Sequence, residues 1–144
     1  MVKNDRHWIV NVLEYVTTES TATSKKVGAI LVNANGFVIG QGYNSVARTD
    51  VDQSCEGIDG KTRPEVAHAE IKAISYCANR GHSALRSTLY CTIPPCPVCC
   101  AAIIEAGIAR VVYKETYWSE SNLHLLTNAG IQAEKFNNEL QTTG

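Results

Sequence analysis

The chain has 144 residues, the size of one domain rather than two. Hydrophobic residues make up 44% and charged residues 19%, a globular balance that excludes a disordered or fibrous chain. The formal charge of −1, from 13 Lys+Arg against 14 Asp+Glu, supplies no basic field for a nucleic-acid backbone, so no stable nucleic-acid partner is expected.

Residues 5–18 have the pattern of an amphipathic helix, with Trp8, Ile9, Val12, Leu13 and Val16 recurring at three- and four-residue intervals. The polar stretch 20–26 ends it. Apolar runs at 27–32 and 37–43 flank Asn33, Asn35 and Gly36, turn residues tolerant of positive φ, and together predict a β-hairpin. Residues 44–64 are polar and too long for an ordinary connection, which marks them as a candidate lid or substrate loop. A helix is expected over 65–79, closed by Gly81, and a strand over 85–93. A second helix over 97–106 carries Pro97 in its first turn, where a missing N–H costs nothing, and ends at Gly107. A short strand over 109–113, a helix over 119–128 stopped by Gly130 and a last strand over 131–136 follow. Strands joined through helices are normally parallel, so this order predicts an α/β fold with a five-stranded mixed sheet flanked by helices, in a single domain spanning residues 1–144.

No apolar run approaches the ~18 residues of a membrane span, and residues 1–7 lack the apolar stretch of a signal peptide, so no membrane partner and a cytoplasmic location are expected. The six cysteines are then thiols rather than disulfides. Three of them, Cys96, Cys99 and Cys100, fall within one five-residue stretch, which points to a metal. Taken singly, Cys55, Cys77, Cys91 and Cys100 read as core or loop thiols.

Two short sequences carry the chemistry: His68-Ala69-Glu70 and Pro95-Cys96-Pro97-Val98-Cys99, each at the start of a predicted helix. Cys96 and Cys99 are three apart, so at a helix entrance their sulfurs face one side, where the helix dipole favours thiolates. With His68 they make three N/S ligands, the number a catalytic zinc site uses while it leaves its fourth position to water. A lone Cys-x-x-Cys also fits a redox pair or half of a structural site, but His-x-Glu at one helix start followed by Pro-Cys-x-x-Cys at the next is the zinc deaminase signature. Residues two apart on an ideal helix point to nearly opposite sides, so His68 and Glu70 must sit at the helix entrance.

With these motifs the sequence resembles the cytidine/deoxycytidylate deaminase superfamily, and within it the deoxycytidylate (dCMP) deaminases of bacteriophage type. Residues 26–32 resemble the family's first strand, residues 40–45 its Gly-Tyr-Asn-Gly loop, and residues 111–117 and 128–131 the strand and last helix of phage members. The resemblance implies a three-layer α-β-α fold and one zinc ion per chain, held by His68, Cys96 and Cys99. It implies hydrolysis of dCMP to dUMP and ammonia, with Glu70 moving the protons. Asn44 is expected to bind the sugar, the backbone N–H of Ala69 the pyrimidine O2, Ser20 the phosphate with charge from Lys25 or Lys26, and Tyr117 to line the pocket. The resemblance further implies activation by dCTP and inhibition by dTTP through the loop of Tyr43 and Ser45, and a homo-hexamer, with Tyr76 and Asn79 on the catalytic helix away from its zinc end. Lys72 stands where many members have asparagine, and Ser45 where the loop pattern has glycine. Residues 44–64 are shorter than the insertion that carries an extra zinc in some phage enzymes. A tRNA adenosine or other base deaminase shares both motifs, whereas a non-catalytic zinc-stabilised module would leave Glu70 without a purpose.

Overall fold

Asn33 reverses the chain between β1 (Gly28–Val32) and β2 (Val38–Tyr43). Its side-chain oxygen accepts from the N–H groups of Asn35 and Phe37, at 3.0 and 2.9 Å, and Gly36 takes a φ of 84° that a residue with a Cβ resists. The predicted hairpin thus forms, at one edge of a five-stranded sheet. The computed structural model describes residues 4–116 and 120–137.

β1 also pairs antiparallel with β3 (Thr88–Cys91), while β3 pairs parallel with β4 (Arg110–Tyr113) and β4 with β5 (Gln132–Lys135), giving the order β2-β1-β3-β4-β5. The two parallel pairs are those whose strands are joined through helices, α3 (Pro97–Glu105) and α4 (Leu123–Asn128). Ahead of the hairpin, α1 winds as a π-helix over His7–Leu13 and as an α-helix over Glu14–Thr18, and α2 (Ala69–Asn79) lies between β2 and β3.

Alternation along the strands divides the core in two. Ala29, Leu31, Leu89, Cys91 and Val111 face α2, α3 and α4, and are covered by Ala73, Cys77, Cys100, Ile103 and Leu126. Ile30, Val32, Tyr90 and Val112 face the opposite way, onto Ile9, Leu13 and Val16 of α1. These are the three expected layers, of helix, sheet and helices. Asp5, 1% exposed, ties the start of α1 to the sheet by accepting from Tyr90 Oη at 2.6 Å and from both terminal nitrogens of Arg110 at 2.8 and 2.6 Å.

Three predicted elements shorten by more than two residues. The helix expected from residue 65 starts at Ala69, because Ser45 and Ala67 exchange backbone hydrogen bonds of 3.2 and 2.8 Å that hold the preceding residues extended. The strand expected over 85–93 shortens to Thr88–Cys91, since Arg86 adopts a φ of 62° that no strand tolerates. The helix expected over 119–128 shortens to Leu123–Asn128 behind a turn at 121–122, and Ser119 lies outside the described residues.

The 44–64 segment has structure of its own. Arg63 donates to the carbonyls of Asp52 and Ser54 at 2.9 and 2.8 Å, and to the carboxylates of Asp50 and Glu65 at 3.1 and 2.9 Å. A bridge between Glu56 and Thr62 closes its tip, and Cys55 is buried beneath it at 1% exposure. Among the described residues, no helix is long and apolar enough to cross a membrane.

Candidate active site and metal centre

The N-termini of α2 and α3 converge on one spot. His68 is the N-cap of α2 and Cys96 the N-cap of α3, both with extended backbones (ψ 153° and 170°), and Pro97 follows at N1. The extended conformation of His68 resolves the spacing conflict: its side chain is released from helical geometry and shares a cavity with that of Glu70. Cys99, three residues past Cys96, lies on the turn that faces α2.

His68 Nδ1 lies 3.3 Å from Cys99 Sγ and 3.4 Å from Cys96 Sγ, and the three ligand atoms all fall within 4.8 Å of one another. Zn–N near 2.0–2.1 Å and Zn–S near 2.3 Å in a tetrahedron require N···S separations of about 3.5 Å, so the donor set fits zinc in both kind and spacing. It is the one group of at least three His, Cys, Asp or Glu side chains among the described residues with this arrangement. Cys99 is buried, Cys96 half-buried and His68 exposed, so the group opens on its His68 side. Cys55, Cys77, Cys91 and Cys100 are buried elsewhere as thiols.

Electrostatics supply a second test of fit. Burial pushes the Glu70 carboxyl above the ordinary carboxylate range, although its own backbone N–H and the Cys99 thiol partly offset this. Burial likewise drives the Cys99 thiol far up, and the neighbouring Glu70 and Cys96 charges add to it. Cys100 rises to about 11 for the same reasons, burial first and then Cys96 and Glu70. Glu70, Cys96 and Cys99 thus bring three potential anions into one dry corner, and a divalent ion relieves the conflict among them.

A cleft of about 190 Å³ opens over this corner, with His68, Ala69, Glu70 and Cys96 at its base and Ser24, Lys25, Asn44 and Thr62 on its walls; Val66, Ile93 and Pro94 supply apolar surface. Glu70 is 4% exposed and lines the cleft. Ala69 stands at the first position of α2, where backbone N–H groups have no intrahelical acceptor. Asn44 is locked in place. Its Oδ1 accepts from the Val27 N–H at 2.9 Å and from Ser20 Oγ at 2.7 Å, and its Nδ2 donates to the Lys25 carbonyl at 2.8 Å. Lys25 reaches the cleft and forms an ion pair with Glu115.

The sequence-predicted residues therefore divide. His68, Ala69, Glu70, Cys96 and Asn44 meet at one cleft. Ser20 is 2% exposed and sits behind Asn44, its hydroxyl donating to the Asn44 side chain and carbonyl. Tyr117 lies outside the described residues. Tyr43 and Ser45 line a second, open groove of about 1200 Å³, together with Arg48, Lys72, Tyr76, Asn79 and Arg80. There Lys72 donates to the Val46 carbonyl at 2.6 Å, and burial, followed by the Arg48 charge, lowers its pKa. Sequence reasoning missed Thr62 and Val66 as cleft walls. Both are brought in by the Ser45–Ala67 and Glu56–Thr62 pairings, and long-range pairings leave no local signature.

Gly40 and Gly42 let α2 lie close on β2. A Cβ at Gly42 would stand 2.7 Å from the Ala69 carbonyl oxygen, and one at Gly40 2.5 Å from that of Ala73.

Comparison with known proteins places the cleft in context. Residues 2–115 match the family described as the cytidine and deoxycytidylate deaminase zinc-binding region. The chain is 30% identical to the deoxycytidylate deaminase of enterobacteria phage T2, over 86% of this chain and 88% of that protein. It is 31% identical to a tRNA-specific adenosine deaminase of Buchnera aphidicola, over 91% of this chain and 79% of that one. The crystal structure of the dCMP deaminase from cyanophage S-TIM5, in complex with dCMP and dUMP, superposes with a TM-score of 0.86 at 32% identity, covering 94% of this chain and 99% of that chain.

Proposed function

Because the chain belongs to the cytidine and deoxycytidylate deaminase family, we propose that it hydrolyses dCMP to dUMP and ammonia. The observation that carries this reading is the buried Glu70 carboxyl beside the His68, Cys96 and Cys99 donors, at the base of a cleft that Lys25 and Asn44 also line. Relatives named as deoxycytidylate deaminases match almost end to end.

When bound by His68, Cys96 and Cys99, zinc supplies the Lewis acidity that makes water nucleophilic near neutral pH. Water adds at C4 of cytosine and the 4-amino group leaves as ammonia, so one C–O bond forms and one C–N bond breaks. Glu70 takes one proton of the attacking water and delivers it to N3, then takes the proton of the new C4 hydroxyl and passes it to the departing amine, as the C4–O bond becomes a carbonyl. Burial suits it to this shuttle: a carboxyl with raised proton affinity holds a proton between the two transfers. The Ala69 N–H is the donor for the pyrimidine O2. Asn44, oriented by Ser20 and Val27, has its second Nδ2 hydrogen for the sugar, so Ser20 acts on the nucleotide through Asn44. Lys25 brings positive charge to the wall on the phosphate side.

The proposal extends to regulation by dCTP and dTTP in the second groove. Arg48, Lys72 and Arg80 line it beside the Tyr43 and Ser45 loop, and its breadth suits a triphosphate or a neighbouring subunit of a homo-hexamer. Tyr15, 69% exposed, lies at its edge. A cytoplasmic location completes the reading, in keeping with six unpaired thiols.

The test is ammonia release from dCMP, deoxycytidine, dCTP and an RNA hairpin, each with and without dCTP and dTTP as effectors, with light scattering for the oligomer. Preference for dCMP supports the proposal. Activity confined to the hairpin would favour the tRNA adenosine deaminase reading, to which the 31% identical Buchnera relative gives weight.

A further inference from the structure

Lys72 stands one turn into α2, and its ammonium is committed to the main chain of another segment. Nζ donates to the Val46 carbonyl at 2.6 Å, and Val46 is 1% exposed. The stem sets out over Gly42, where a Cβ would stand 2.5 Å from Lys72 Cβ. Next to Val46, Ser45 exchanges backbone hydrogen bonds with Ala67 at 3.2 and 2.8 Å, and Ala67 precedes His68. On the other side of Ser45, the Asn44 side chain is fixed by Val27 and Lys25. Ser45 is thus strung between two anchored neighbours, and Lys72 supplies one of the anchors. The Lys72 N–H donates in turn to the His68 carbonyl at 3.0 Å, so the path from residue 72 through 46, 45 and 67 closes on residue 68. A histidine that ligates a metal is normally oriented by a partner on its second ring nitrogen. Among the described residues, the polar atoms at hydrogen-bond distance from the His68 ring are the Cys96 and Cys99 sulfurs, so the aim of the imidazole depends on the backbone that carries it.

We propose that Lys72 is a positioning residue for the metal ligand His68: by pinning the Val46 carbonyl it keeps Ser45 paired with Ala67, and that pairing holds His68 in the extended conformation from which it meets Cys96 and Cys99. The inference rests on the zinc group described above and is independent of which nucleotide the cleft takes. A hydrogen bond from a charged donor is stronger than one from a neutral donor, which suits a clasp on a segment outside helix and sheet. Charge and position act here with opposite signs. By charge alone, loss of a lysine cation favours a divalent ion nearby, whereas loss of the clasp loosens its ligand.

The test compares the full-length, zinc-loaded protein with Lys72→Met, which keeps an apolar stem and lacks the ammonium, and with Lys72→Arg, which keeps a cationic donor. Zinc release to an excess of chelator is about tenfold faster in Lys72→Met and returns most of the way to the unmodified rate in Lys72→Arg. Amide hydrogen exchange supplies the second readout. In Lys72→Met it quickens at the Ser45 and Ala67 N–H groups, while Ala73 and Cys77 within α2 keep their protection, which separates a lost clasp from a general loss of stability. Zinc release no faster in Lys72→Met, or exchange that quickens no more at Ser45 and Ala67 than along α2, overturns the inference. Failure of the zinc reading looks different: the unmodified chain then takes up no zinc at all, and Lys72 has no metal ligand to position.

Discussion

The cleft over Glu70 and the groove beside Tyr43 and Ser45 share helix α2, yet they differ in size and solvation. The cleft holds about 190 Å³ and ends on a carboxyl that is 4% exposed, next to a thiol that is fully buried. The groove holds about 1200 Å³ and is lined by Arg48, Lys72 and Arg80 on long side chains, with the Arg80 guanidinium resting over the Tyr76 ring at 3.5 Å. A proton shuttle needs a group whose affinity for protons is raised by exclusion of water, and only the cleft provides one. Long-range attraction of an anion needs open cationic side chains, and the groove provides those. Substitutions in the first should therefore act almost as all or none, and in the second by degrees.

The largest expected effect is at the metal group. Cys99→Ser removes one of three donors and leaves Glu70 and Cys96 without a shared counter-ion, so zinc content measured by atomic absorption falls to near zero, and turnover falls with it. Retention of stoichiometric zinc would place the metal elsewhere. A chelator applied to the unmodified protein should lower its Tm, since zinc bound to the folded state alone adds to stability.

Next in size is the packing that aims α2. Gly42→Ala puts a Cβ within 2.5 Å of Lys72 Cβ and 2.7 Å of the Ala69 carbonyl oxygen, so the helix start that carries His68 and Glu70 must shift. Overpacking of this kind costs about 1–3 kcal/mol, and a thermal melt should record it as a drop in Tm of several degrees. An unchanged melt with intact activity would show that the helix has freedom the cleft account denies it.

Smaller still is the clasp over the 44–64 segment. Arg63→Ala removes hydrogen bonds to two carbonyls and two carboxylates, and its ion pairs are partly exposed, so a small drop in Tm and a rise in KM of a few fold are expected. The smallest effect belongs to the groove. Arg48→Ala should raise the dCTP concentration needed for half-maximal activation by a few fold and alter metal content not at all, read from activation curves and metal analysis on the same samples.

The same contrast explains what could be read in the sequence. His68, Ala69, Glu70, Cys96 and Cys99 occupy two local motifs, each fixed by one helix start, and the zinc deaminase signature pairs the two motifs that the structure brings together. The hairpin and the parallel crossovers were legible for the same reason: Asn33 and Gly36 act on their immediate neighbours, and strands joined through helices have few ways to pair. Ser20 was harder. As a polar residue in a polar stretch it reads as a surface contact, and only the pairing of Asn44 with Val27 and Lys25 turns it inward. The early start expected for α2 fails similarly. Val66 and Ala67 fit the helical period, but the Ser45–Ala67 backbone bonds compete for them and win. Thr62 gave no signal, because its place on the cleft wall depends on a bridge within a loop.

The most direct test of the central claim pairs zinc content with ammonia release from dCMP, in the unmodified protein and in Glu70→Gln. Glutamine keeps the shape of the side chain and leaves the three metal donors untouched, so both proteins should bind one zinc per chain, while the variant loses turnover by about 10²–10⁴-fold. Turnover near the unmodified rate in zinc-loaded Glu70→Gln would contradict the assignment of Glu70 as the group that moves the protons.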